Sequence, residues 1–238
     1  GAELNLSYGQ RTNRYLNKFY GFASECNIYD SLTFRLFPRD IQKALSLDSP
    51  ICYHWMEEPH HDTIKIKGFP VTIKTLGQEF RSKRHRVNLQ LIIALRERNY
   101  AAKGEKIFTA WDLKVELKIL DQYCDLFERF LKDHSRSKEE FDDLFEKQRQ
   151  GQLDYGRYCI VLCEYAYYEI ANVQIAFAKF AQSIISEAIS TSTKRSGFKD
   201  IYMNKMPEKP FFDYKEKIEL KLPLIKYLEQ LYYCLPKQ

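Results

Sequence analysis

Two apolar seams in the second half of the chain restrict its architecture more than any other feature. Leu113, Leu117, Leu120, Cys124, Phe127 and Leu131 follow one another at intervals of 4-3-4-3-4, and Cys159, Cys163, Ala166, Ile170, Val173, Phe177, Phe180 and Ile184 continue at 4-3-4-3-4-3-4. Alternating steps of three and four keep one side of an α-helix apolar, so each seam predicts a long helix. A flanking row of Ile119, Tyr123, Leu126 and Phe130 makes the first face wider than a bare coiled-coil seam. Two such helices, joined through residues 137–151, pack antiparallel at a shallow angle, and their width calls for a third helix across them. Ser135 and Ser137, followed by Glu139 and Glu140, carry the start chemistry of a short helix over 138–148. A last helix over 222–234 carries Leu224, Tyr227, Leu228, Leu231 and Tyr232. Leu89, Leu91, Ile92, Ile93 and Leu95 predict a further, buried helix. The fold class is mainly α.

The first third of the chain reads differently. Leu4 and Leu6 alternate with Glu3, Asn5 and Ser7, the pattern of a half-buried strand. Thr12 or Asn13 caps a helix with Tyr15, Leu16 and Phe19, and Gly21 ends it. Residues 31–37 form a second strand, 40–47 a short helix, 49–62 a loop and 63–73 a hairpin around Lys67-Gly68. Residues 191–216 hold two prolines and isolated aromatics at Phe198, Tyr202, Phe211 and Phe212, which reads as a long loop pinned to the surface in places or as a mobile segment.

Composition narrows the function classes. With 45% hydrophobic and 29% charged residues in 238, the chain has the make-up of a soluble globular protein. No apolar run approaches the ~18 residues of a membrane span. The first residues show neither a basic region nor an apolar run of a secretory signal. Six scattered cysteines form no disulfide framework, which predicts an intracellular, reducing compartment. A net charge of +5 is below the footprint of a dedicated nucleic-acid binder. The run Arg81-Ser82-Lys83-Arg84-His85-Arg86 lacks interleaved aromatics and reads as a solvated surface, with docking of an acidic protein next and RNA third. Arg96 belongs to the same basic stretch of 81–106. His60-His61 beside Glu57, Glu58 and Asp62 has no second pair at ligand spacing, and Cys159 and Cys163 lie on a core seam, so no metal site is predicted. Tyrosines 155, 158, 165, 167 and 168 spread around their helix, which predicts an interaction surface for a protein partner.

The N-terminal residues carry a motif. Leu6-Ser7-Tyr8-Gly9, then Asn13, then Tyr20-Gly21-Phe22, then Asn27 and Asp30 resemble the closing segment of a SET domain, the fold of protein-lysine methyltransferases. Phe69-Pro70 and Leu91-Ile92-Ile93-Ala94-Leu95-Arg96 resemble the linker of the Rubisco large-subunit methyltransferase group, and the helices of 110–186 resemble its helical substrate-binding domain. The resemblance implies a C-terminal part of a SET domain with linker over 1–80, a helical domain over 81–190, and a loop with a final helix packed on it over 191–238.

By that resemblance, Tyr8 is the catalytic tyrosine, Phe22 stacks on the adenine of the cofactor S-adenosylmethionine, and Tyr20 lines the channel for the acceptor lysine. Asn13 fixes the turn. The substrate is a protein docked on the helical domain. One departure is large: the family's Asn-His pair and Gly-rich cofactor segment belong ahead of Ala2, while Asn27 and His54 lie downstream and do not form that motif. Two readings follow, a C-terminal part of a methyltransferase and a non-catalytic SET-related scaffold or assembly subunit that keeps the helical domain.

Overall fold

Tyr155–Ser190 is one unbroken helix of 36 residues, and most of the other described elements lie against it. The computed structural model describes residues 7–25, 27–34, 80–83, 87, 91, 92, 95, 96, 99, 112–191, 195–205 and 221–235. In chain order the elements are α1 (Asn13–Tyr20), β1 (Ser31–Phe34), β2 (Phe80–Lys83), α2 (Leu113–His134), α3 (Lys138–Arg149), α4 (Tyr155–Ser190), α5 (Arg195–Lys205) and α6 (Lys221–Cys234). The protein is mainly α-helical, as the seams predict. The expected first strand at Ala2, the 40–47 helix, the 63–73 hairpin, the Phe69-Pro70 linker and the His60-His61 loop lie outside the described residues.

α2 and α4 make the main contact of the fold and run antiparallel. Asp121, early in α2, accepts from Gln182, late in α4, at 2.7 Å. Arg136, just past α2, pairs with Glu164 in the first half of α4. Between them Lys179 pairs with Glu128 at 2.7 Å. The buried face of α2 is Ile119, Tyr123, Leu126 and Phe130 with Leu120, Cys124 and Phe127. Leu113, Leu117 and Leu131, the ends of the expected seam, are only half-buried. A strict heptad rotates by ~20° per repeat on a straight helix, so its ends drift off the contact and the flanking row takes over.

The predicted third helix is α6. Leu224, Tyr227, Leu228 and Leu231 are buried, and the Tyr227 ring meets Phe177 of α4 edge-on at 5.7 Å. α5 was not expected: it falls within the stretch read as a loop. Phe198 and Tyr202, one turn apart, are buried in the same core. Short helices gain most of their stability from such tertiary burial, which a weak local pattern does not reveal. β1 pairs antiparallel with β2, Ser31 opposite Lys83 and Phe34 opposite Phe80, and Leu32 enters the core. The polar sequence Phe-Arg-Ser-Lys of β2 carries no strand alternation, so that strand was also missed.

The short α3 begins where its start signals lie. Ser137 accepts from the Glu140 amide at 3.2 Å and Glu140 accepts from the Ser137 amide at 2.7 Å, a complete capping box. Its buried Phe141 packs on Tyr165 and Tyr168 of α4 at 5.2 and 5.4 Å, and Phe145 meets Tyr165 at 4.9 Å. This narrows the tyrosine surface expected along α4. Tyr165 and Tyr168 are packing residues for α3, and of the five only Tyr155 is exposed.

A buried charge pair ties three parts of the chain together. Glu116 of α2 is fully buried and accepts from Arg96 Nε and Nη2, both at 2.8 Å. The Tyr227 hydroxyl donates to the same carboxylate at 3.0 Å. Burial, with the Glu116 charge beside it, holds the Tyr227 phenol protonated well above its ordinary range. Arg96 is therefore a core residue and not part of a basic surface. Its neighbours Leu91, Ile92 and Leu95 are helical and buried, as predicted for that helix. Removing one partner of such a pair strands the other charge. Glu116→Ala is expected to lose about 3–5 kcal/mol in urea unfolding. The double change Arg96→Met with Glu116→Leu is expected to lose clearly less. Equal losses would show that the pair is not what the site demands.

Candidate functional site

Two glycine turns bracket α1. Gly9 and Gly21 have φ of 72° and 73°, a region where a Cβ is strained by roughly 1–2 kcal/mol, although open space surrounds both positions. Their requirement is conformational. Gly9 accepts from the Arg11 amide at 3.0 Å, Thr12 caps the helix by accepting from the Tyr15 amide, and the Gly21 amide closes it on Asn17 at 3.1 Å. Of the two expected caps, Thr12 fills the role, which leaves Asn13 free for another.

Asn13 is buried at the centre of a polar hub. Its backbone amide donates to Asp30 Oδ1 at 2.6 Å, and its side-chain amide donates to Asp30 Oδ2 at 2.9 Å and to the Ser24 carbonyl at 2.7 Å. Its Oδ1 accepts from the Ser24 amide at 2.9 Å and from Asn27 Nδ2 at 3.2 Å. Both donors and both acceptor positions of the side chain are used. Asn27 in turn donates to the Arg11 carbonyl at 2.8 Å and accepts from the Tyr29 amide at 2.9 Å. The hub thus locks the turn before α1 to the turn after it. It rests on α4, where the Tyr158 hydroxyl donates to Glu25 at 2.5 Å and Arg14 lies against the Tyr167 phenol. Glu25 and Tyr158, 133 residues apart in sequence, are the contact that sequence reasoning missed.

On this frame the three site residues named from the sequence come together. Tyr8 lies 4.8 Å from Tyr20 at an interplanar angle of 63°, and 5.0 Å from Phe22 at 66°. Tyr20 and Phe22 are 6.4 Å apart. Such edge-on contacts suit the quadrupoles of aromatic rings. Tyr8 keeps 47% of its surface and Tyr20 52%, while Phe22 is half-buried. The cluster presents two phenol oxygens and a ring on an open face. No group of three or more metal-ligating side chains occurs among the described residues.

Cys163 of α4 lies beneath the hub. Burial, then the charge of Asp30, pushes its thiol up to about 12. Cys124 is likewise pushed up to about 12, by burial and then by Glu128. Cys124, Cys159 and Cys163 are free thiols. No helix among the described residues is long and apolar enough to cross a membrane. No family model, curated protein or solved structure matches the chain.

Two predictions follow from the hub. Asn13→Leu removes every side-chain bond at its centre, and each buried group left unpaired costs about 1–3 kcal/mol. Hydrogen exchange at the Ser24 and Tyr29 amides is expected to accelerate strongly; unchanged protection would show that other contacts hold the turns. For Cys163, a raised folded pKa favours the neutral thiol. Its contribution to stability is complete below the unfolded value of 9.0 and is lost as pH rises towards about 12. Cys163→Ala is expected to flatten the loss of stability in that window, measured by urea unfolding at stepped pH. An identical slope in both proteins would contradict this assignment.

Proposed function

We propose that this chain is the C-terminal part of a SET-type protein methyltransferase, moving a methyl group from S-adenosylmethionine to a side-chain nitrogen of a protein, with lysine as the acceptor. The supporting observation is the convergence of Tyr8, Tyr20 and Phe22 on one cluster, with Asn13 bracing the turns that carry them. These residues take their roles from the position of a Tyr-Gly turn in the sequence, and their spatial meeting is what such roles require.

The residues present suit the cofactor in part: an aromatic ring for a flat heterocycle, and a phenol oxygen beside it. When bound, S-adenosylmethionine supplies a methyl group on a positively charged sulfur. Phe22 offers the ring for adenine and Tyr20 lines the path of the acceptor. Tyr8 orients the neutral amine through its hydroxyl oxygen, so its contribution is placement and electrostatics. A lysine of pKa about 10.4 must first lose its proton. The helical body of α2 and α4 docks the substrate protein.

A second reading, a non-catalytic scaffold, is favoured by one observation: about half of Tyr8 and Tyr20 remains exposed, as on a surface that binds a partner. The two part on a single substitution. With the natural protein, tritiated S-adenosylmethionine and a lysate from its source, Tyr8→Phe is expected to cut label transfer by about 100-fold or more at unchanged melting temperature. No transfer by the unaltered protein above that of the lysate alone favours the scaffold, and transfer that survives Tyr8→Phe takes the catalytic role away from Tyr8.

A further inference from the structure

The side of α1 that faces away from α4 is unusual for a helix of eight residues. Tyr15, Lys18 and Phe19 lie at i, i+3 and i+4 and form a stripe along one side of α1, and Arg11, just ahead of the Thr12 cap, reaches the same side over the Tyr15 ring. The Tyr15 and Phe19 rings lie 4.5 Å apart, tilted at 41°. The Arg11 guanidinium sits 4.7 Å over the Tyr15 ring and the Lys18 amine 5.5 Å over the Phe19 ring. Phe19 nevertheless keeps 57% of its surface exposed. The stripe joins the aromatic cluster, since Tyr15 lies 6.3 Å from Tyr20.

The charge of this segment has one sign. From Ser7 to Ser24 the chain carries Arg11, Arg14 and Lys18 and no aspartate or glutamate. Arg14 turns inward to Tyr167, and the next acid, Glu25, accepts from Tyr158. Arg11 and Lys18 are both exposed, and each is set over an apolar ring.

Resting on the methyltransferase reading, we propose that the outward face of α1 docks an acidic segment of the substrate protein next to the acceptor side chain. A carboxylate suits a guanidinium through paired hydrogen bonds, and the rings beside it suit the apolar part of the same segment. Single-stranded nucleic acid suits the face less well. Bases stack on bare aromatic faces, whereas here cations already lie over Tyr15 and Phe19. Two outward cations are also too short a track for a phosphate backbone.

The test uses the natural protein and fluorescence anisotropy. The probes are a fluorescein-labelled peptide with one lysine flanked by glutamates and leucine, the same peptide with glutamines, and an oligouridine. The glutamate peptide is expected to bind at least about tenfold tighter than the glutamine peptide, with the preference fading as salt rises. The paired change Arg11→Glu with Lys18→Glu removes the preference, and Arg11→Lys with Lys18→Arg keeps it. Arg11→Gln with Lys18→Gln gives the same answer should charge reversal disturb folding. Equal binding of the two peptides, or a preference that survives charge reversal, overturns the proposal. So does oligouridine outcompeting the glutamate peptide, which would make the face a nucleic-acid surface. The methyl transfer readout separates this failure from failure of the parent reading. Equal kcat/KM on both peptides ends the docking proposal and leaves the methyltransferase. A charge-dependent binding preference without any transfer leaves the docking face and ends the methyltransferase.

Discussion

The antiparallel contact between α2 and α4 is the interaction on which everything else described in this chain depends. It supplies the apolar wall against which α6 and α5 pack, and its outer surface carries α3 through Phe141. The N-terminal half of α4 is the platform for the polar hub of Asn13 and Asp30, through Tyr158 and Tyr167. Burial is the driving force of the first contact, since a packed aromatic such as Tyr123, Phe127 or Phe177 removes a large apolar area from water. At the hub the force is of another kind. There hydrogen bonds do not so much add stability as prevent the cost of leaving buried polar groups unpaired.

That difference explains why the two halves are organised as they are. A helical body tolerates variation in its apolar residues as long as volume and pattern are kept. A hub whose centre uses both donors and both acceptors of one asparagine has no such latitude. It fixes the relative placement of the turns at Gly9 and Gly21, and with them Tyr8, Tyr20 and Phe22. The charge pair of Arg96 and Glu116 works in the same way in the core, joining Arg96 to α2 and, through Tyr227, to α6. Both networks specify arrangement where apolar packing alone would allow several.

What could be read from the sequence was local. Thr12 with Gly21, and Ser137 with Glu140, announce α1 and α3 because capping chemistry acts over three or four residues. The long helices follow from periodicity, which survives any detail of packing. What could not be read was pairing over distance. Arg96 looks like one more cation in a basic stretch until Glu116 is brought to it from the next helix. β2 is unremarkable until β1 pairs with it. Tyr165 and Tyr168 look exposed until α3 folds over them. At the site, the residue types and the turn were legible, and Asn13 was expected to fix it. The contact of Glu25 with Tyr158 was not, since nothing local marks it.

Tyr8, Tyr20 and Phe22 are proposed to form the end of a cofactor and acceptor site. Aromatic NMR of the natural protein, titrated with S-adenosylmethionine, addresses it most directly. The account predicts saturable shifts of the Phe22 ring first, with Tyr8 and Tyr20 following and the buried Tyr123 and Tyr227 unmoved. Shifts absent from the cluster, or appearing only in the core of α2, α4 and α6, would contradict it.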